Sequence, residues 1–324
     1  MRKLLVLYCS LLICFMTFAD AESDFNEGYK YYCRKEYKQA AEYFTKSGVQ
    51  GNAQAQCAIG RLYYYGSGVQ ENFKKAAYWL RKSAEQGNDE GQFSLGNMYS
   101  IGNTFQPLDF KKAVYWYMKS ADQGNVNSQY YLGNCYYYGE GVTKNYEKAA
   151  EYYKKSAEQG KAWAQYKIGY MYFNGQGVKK DLNKALYWTR KSVEQGNKGA
   201  IYQLGFTYYT GLSVPKDVDK AIILYHKSAK LGFASAQNKL GGLYWAGKGV
   251  KKNFKKAAYW YRKSAEQGNA QGEYFLGMMI GTGIGASQNY EKSVNSLSKS
   301  KEHGNTNAKN GLEIIRLLKA ANEM

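Results

Sequence analysis

Three serines stand three residues before a lysine: Ser213 before Lys216, Ser296 before Lys299, and Ser298 before Lys301. Acyl-transfer enzymes of the Ser-x-x-Lys kind pair a serine nucleophile with such a lysine. They also use Ser-Asp-Asn and Lys-Thr-Gly partners, and the chain has neither tripeptide. In a lysine-rich chain three spacing matches arise by chance. The two histidines, His226 and His303, stand alone, and the five cysteines lack metal-ligand spacing. No phosphate-cradling glycine loop precedes a helix. The expectation is a protein that is not an enzyme and needs no cofactor or metal.

The residues able to do binding chemistry are aromatic, 34 of them tyrosines. At fixed spacing they form rows. One holds Tyr130, Tyr166, Tyr202 and Tyr274, and a second Tyr64, Tyr137, Phe173, Tyr209 and Trp245. A third is mixed: Arg61, Asn97, Asn134, Tyr170, Phe206, Gly242 and Met278. Aromatic side chains offer large contact area, small entropy loss and a polar edge. The rows suit a groove for an extended peptide or protein segment. The competing reading buries the same rings between neighbouring helices. The mixed row varies most and is expected to be the most exposed.

What positions these rows is a repeat. Gly51, Gly87, Gly124, Gly160, Gly196, Gly232, Gly268 and Gly304 recur every 36 residues, with one interval of 37. The full units are 53–88, 89–125, 126–161, 162–197, 198–233, 234–269 and 270–305. A shorter unit, 22–52, opens the array, and 306–324 forms a capping helix. In unit 53–88, apolar or small residues at helical spacing predict a first helix from Ala53 to Tyr65. A Gly66-Ser67-Gly68-Val69 turn follows. Asn72 then caps a second helix from Phe73 to Gln86, and its counterparts are Asp109, Asn145, Asp181, Asp217, Asn253 and Asn289. Gly87 stops that helix. A mid-helix glycine also recurs: Gly60, Gly96, Gly133, Gly169, Gly205, Gly241 and Gly277. Each costs ~1 kcal/mol against alanine, so close approach of the paired helix is expected, with Ala76 and its copies opposite. Aromatics such as Trp79 and Tyr152 would sit beside it. In the last helix Leu312, Ile315 and Leu318 are expected on the buried side.

The pattern resembles the Sel1-like, tetratricopeptide-like repeat family. Residues 162–197 carry its signature as Ile168-Gly169, Tyr172, Gly175-Gln176-Gly177-Val178, Asp181, Lys184-Ala185, Trp188 and Gly196. The unit at 22–52, with its short turn at Arg34-Lys35, looks more like a tetratricopeptide unit. The resemblance implies an all-α, right-handed solenoid of stacked helical hairpins whose first helices line a concave, partner-binding face. Some exported relatives with two cysteines in each repeat are described as penicillin-binding or β-lactamase-like. This chain lacks those cysteine pairs, so a hydrolase stands only as the alternative.

Arg2 and Lys3, the apolar stretch Leu4 to Phe18 and Ala19-Asp20-Ala21 make the pattern of a secretory signal peptide, residues 1–21, cleaved after Ala21. Cys14 has no small residue before it, which disfavours a lipoprotein signal. Cys33, Cys57 and Cys135 then remain, an odd number that permits at most one internal disulfide. The formal charge is +19. Losing Arg2, Lys3 and Asp20 leaves 43 basic and 25 acidic residues, a balance of +18. Export to the periplasm or medium makes nucleic acid an unexpected partner. A protein or peptide is expected. Peptidoglycan, another glycan, or an anionic envelope surface drawn to the basic exterior is a further alternative.

Overall fold

A computed structural model describes residues 20–105 and 107–323, which are helical and contain no strand. Nearly all of the expected leader, residues 1–19, lies outside the described residues. The chain forms two compact units: 20–164 with 176–178, and 165–175 with 179–323.

The first unit stacks helical hairpins in chain order: α1 (20–33) with α2 (Tyr37–Val49), α3 (Ala53–Tyr65) with α4 (Phe73–Glu85), α5 (Asp89–Ile101) with α6 (Phe110–Asp122), and α7 (Val126–Tyr138) with α8 (Tyr146–Glu158). The second unit takes up α9 (Ala162–Asn174) from residue 165 and pairs it with α10 (Leu182–Glu194). It continues with α11 (Lys198–Thr210) and α12 (Val218–Lys230), α13 (Ala234–Ala246) and α14 (Phe254–Ala265), then α15 (Ala270–Thr282) and α16 (Tyr290–Glu302). The closing helix is α17 (Ala308–Asn322). Within each unit this is an all-α solenoid.

The expected caps form. Asn72, Asp109, Asn145, Asp181, Asp217, Asn253 and Asn289 each accept from the backbone N–H three residues on, at the start of every even-numbered helix from α4 to α16. First helices are capped too, by Asn52, Asn88, Asn125, Asn197 and Asn269. In the turn, Gly66 ends α3 in the left-handed region at φ 65°. Gly68 has a second reason to lack a side chain: a Cβ there would collide with the backbone of Tyr37 and Lys38, one hairpin back. Ser213 holds the corresponding place in its repeat and takes φ 66° without being glycine.

Two polar ladders tie each first helix to its second. Ser83 donates to the carbonyl of Ala53 at 2.6 Å, and Ser120, Ser156, Ser228, Ser264 and Ser300 do the same in their repeats. Ser47 likewise reaches Ala21, so the opening hairpin follows the rule. The glutamine of each Glu-Gln-Gly motif donates to a buried first-helix glutamine, as Gln86 does to Gln56 at 2.6 Å. Those first-helix glutamines reach back to the preceding hairpin: Gln92 donates to the Ala84 carbonyl. Each such bond contributes about 1 kcal/mol net. At the same two positions the chain has Ile201 with Leu231 in one repeat and Glu273 with His303, 2.8 Å apart, in another. At the closing helix Ile315 is fully buried, but Leu318 is 37% exposed and not part of the buried side as expected; Ala308 and Gly311 are buried instead.

Candidate functional site

Four of the seven recurring mid-helix glycines make room for a ring; Gly60, Gly169 and Gly277 face Leu80, Thr189 and Leu297 instead. A Cβ on Gly133 would stand 2.6 Å from the Tyr153 ring, and one on Gly241 2.6 Å from Tyr261. Gly96 faces Tyr117 and Gly205 faces Tyr225 in the same way. These four tyrosines are buried, and each sits one residue after the aromatic position expected beside the glycine. Burial pushes their hydroxyl pKa values up, that of Tyr261 to about 12. A buried hydroxyl needs a partner. Tyr153 donates to Asn134 Oδ1 and Tyr117 to Asn97 Oδ1, both at 2.7 Å. Asn97 and Asn134 are therefore half-buried internal acceptors. This corrects the expectation that their row would be the most open. Phe206 offers no acceptor in α11, and the Tyr225 hydroxyl is buried with no partner among the described residues.

Of the remaining expected groove residues, Arg61 and Trp245 are exposed. Tyr64, Tyr130, Tyr137, Tyr166, Tyr170, Phe173, Tyr202, Phe206, Tyr209 and Tyr274 are half-buried. Much of each ring is spent on neighbours. Tyr130 packs on Tyr153 with centroids 5.9 Å apart, and Tyr137 on Tyr146 at 5.1 Å, its hydroxyl donating to Gln176. In the second unit Phe173 meets Phe206 edge-on at 5.8 Å, and Tyr202 lies on Tyr225 at 5.5 Å. The rows are part core and part surface.

The openings lie where a row is interrupted. Successive first helices carry Cys57, Phe93, Tyr130, Tyr166, Tyr202, Asn238 and Tyr274 at one position. The ring is missing at Cys57 and at Asn238, and a cavity opens beside each. The first, about 600 Å³, lies within the first unit among α1, α3 and the start of α5. Its walls include Phe25, Tyr29, Tyr32 and Tyr65, and Tyr29 and Tyr65 are 55% and 66% exposed. Arg61 and Glu90, 3.9 Å apart, bring both charges to it. Burial pushes the Cys57 thiol up to about 11, against the opposing pull of Arg61. The second cavity, about 530 Å³, lies within the second unit among α11, α13 and α15. Its walls are Tyr202, Tyr209, Tyr261 and Phe275, and its charged residues are Lys239 and Lys248. The breaks in this column at Cys57 and Asn238, with Gly242 in the mixed row beside the second, were the sequence signal for both.

Cys33 is exposed, Cys57 and Cys135 are buried, and all three are free thiols. Ser296 donates its hydroxyl to the Glu273 carbonyl at 2.8 Å. Neither it nor Ser213 nor Ser298 lines either large cavity. His226 Nε2 lies 3.3 Å from the Tyr244 hydroxyl. Among the described residues no group of three or more His, Cys, Asp or Glu could hold a metal ion, and no helix is long and apolar enough to cross a membrane.

Stacked hairpins with cavities on the first-helix side define a helical-repeat scaffold. The Sel1 repeat model matches at 53–88, 89–125, 126–161, 164–197, 199–233, 234–269 and 270–305. The chain belongs to the Sel1 repeat family. A crystal structure of a Sel1 repeat protein from Oxalobacter formigenes is 31% identical, with a TM-score of 0.67 over 95% of this chain and 91% of that one. A protective antigen present in uropathogenic Escherichia coli strains is 35% identical, with a TM-score of 0.65 over 92% of this chain. This chain spans 64% of that antigen's length. No curated protein matches the chain.

Proposed function

We propose that the protein is an exported scaffold that binds a protein or peptide partner along its first-helix face, in an envelope or host-interaction role. The observation that carries this is the first cavity. Its volume fits an apolar or aromatic anchor side chain. Exposed Tyr29 and Tyr65 frame its mouth, and exposed aromatic rings held by a rigid scaffold are favourable anchors for a partner. The similarity to an antigen of a pathogen supports a place where the chain meets other proteins. Export rests on the leader pattern at 1–21. Removal after Ala21 forfeits the bond from Ser47 and leaves residues 22–33 of α1 to pair with α2.

The test is the double variant Tyr29→Ala/Tyr65→Ala. Both rings are exposed, so the thermal midpoint should hold within a few degrees. Chemical cross-linking in intact native cells should recover a partner with the parent and lose it with the variant. Equal recovery from both would overturn the reading.

A further inference from the structure

The second cavity has a chemistry of its own, set by what α13 leaves out. In α5 and α7 an asparagine accepts from the buried tyrosine hydroxyl of the paired helix. In α13 that position is Gly242. A Cβ there would stand 3.5 Å from the Tyr261 hydroxyl, an ordinary contact, so crowding does not demand a glycine. Its neighbour Gly241, by contrast, is pressed against the Tyr261 ring. With Asn238 in place of a tyrosine and Gly242 in place of an asparagine, α13 lacks bulk at both positions. The Tyr261 hydroxyl lines the resulting cavity with no acceptor among the described residues.

The charges are equally one-sided. Lys239 and Lys248 line the cavity and no Asp or Glu does. Neither lysine has a carboxylate within ion-pair distance among the described residues. Lys239 is half-buried with its ammonium 4.3 Å from the Tyr209 ring centroid, a cation held against an aromatic face and not neutralised. Burial lowers its pKa, and the charge of Lys248 lowers it further. Two cations and an unpaired hydroxyl donor line one space, beside an unpaired but buried acceptor, Asn238 Oδ1. The missing group is an anionic acceptor, and tyrosine and phenylalanine walls leave room for the slender stem that bears it.

We propose that this cavity binds the side-chain carboxylate of an acidic peptide segment, with Lys239 and Lys248 neutralising it and the Tyr261 hydroxyl donating to it. The proposal rests on the scaffold reading for the partner being a peptide. It is tested without the native partner. An end-blocked octapeptide with two central glutamates and its glutamine counterpart would be titrated onto the purified full-length mature protein, with fluorescence polarisation as the readout. The glutamate peptide should bind at least about tenfold more tightly than its counterpart. Gly242→Asn restores the residue of α5 and α7, fills the cavity and supplies Tyr261 with an acceptor. Its melting midpoint should match or exceed the parent's while affinity falls about tenfold. Lys248→Gln, on an exposed position, should lose about threefold.

Equal affinity for the two peptides, or unchanged affinity in Gly242→Asn, would overturn the proposal. So would polygalacturonate binding that obeys the same variants when neither peptide binds. A glutamate preference without partner capture in the Tyr29/Tyr65 experiment sinks the scaffold reading at the first cavity alone. Capture without a glutamate preference sinks only the present proposal.

Discussion

The two cavities arise by the same device and differ in chemistry. In the first unit Cys57 interrupts the ring row, and the space is framed by exposed tyrosines with Arg61 set against Asp89 and Glu90. In the second unit Asn238 interrupts it, Gly242 thins the neighbouring mixed row, and the space presents Lys239 and Lys248 with no acid. A repeat protein builds a stack from near-identical hairpins, so the common residues mostly serve packing. What distinguishes one hairpin from the next is where a common residue is withheld. The difference teaches that sites in such a stack are to be sought at gaps in its columns, not along its most regular rows.

The largest effect that sharpens this contrast concerns the ring beneath the second cavity. Tyr261→Ala removes a buried ring packed on Gly241 and should lower unfolding free energy by about 3–5 kcal/mol, measured by denaturant melts. Next come the hydroxyls alone. Tyr153→Phe breaks the bond to Asn134 and takes the tyrosine donor from its half-buried Oδ1, which should cost about 1–2 kcal/mol. Tyr261→Phe should cost a few tenths of that in the unliganded protein, since its hydroxyl has no protein acceptor to lose. Equal costs for the two would break the contrast.

A smaller effect concerns pH, and both histidines lie in the second unit. Burial lowers the His226 pKa, and the nearby Lys230 and Lys256 lower it further. The unfolded chain then takes up a proton more readily than the folded one, so stability is full above the ordinary histidine pKa and falls as pH drops below it. Melting curves at pH 7 and pH 5.5 should show that loss, and His226→Phe should reduce it. A larger loss in His226→Phe would contradict the assignment.

The smallest effects lie at the first cavity. Glu90→Gln breaks an exposed ion pair and should change stability by less than about 0.5 kcal/mol. Because burial holds the Cys57 thiol near 11, alkylation at pH 8 should label exposed Cys33 and spare Cys57 and Cys135 until the chain is unfolded. Mass spectrometry of the alkylated protein decides it.

The hairpins were legible because each boundary carries its own local signal. Asn72 caps α4 through a bond to Lys75, only three residues away. Gly66 and Gly68 announce the turn by residue type. The ladders were not read, because Ser83 and Gln86 bond to residues 30 positions earlier, and serine or glutamine alone says nothing of burial. A signal did exist: Ile201 with Leu231 and Glu273 with His303 change together at the glutamine positions. Of the candidate site, Arg61 and Trp245 lie at the surface, whereas Asn97 and Asn134 turn inward. A single row cannot reveal that its polar member answers a buried hydroxyl on the paired helix. The cavities themselves were legible only as absences.

The central claim is that partners engage the gaps. A photo-crosslinking phenylalanine analogue placed at Tyr65, beside the gap in α3, can be compared with one at Tyr138, the equivalent exposed position in α7 where the row is intact. Irradiated native cells should give an adduct from position 65 and little from position 138. Equal yields, or a yield from position 138 alone, would contradict the account.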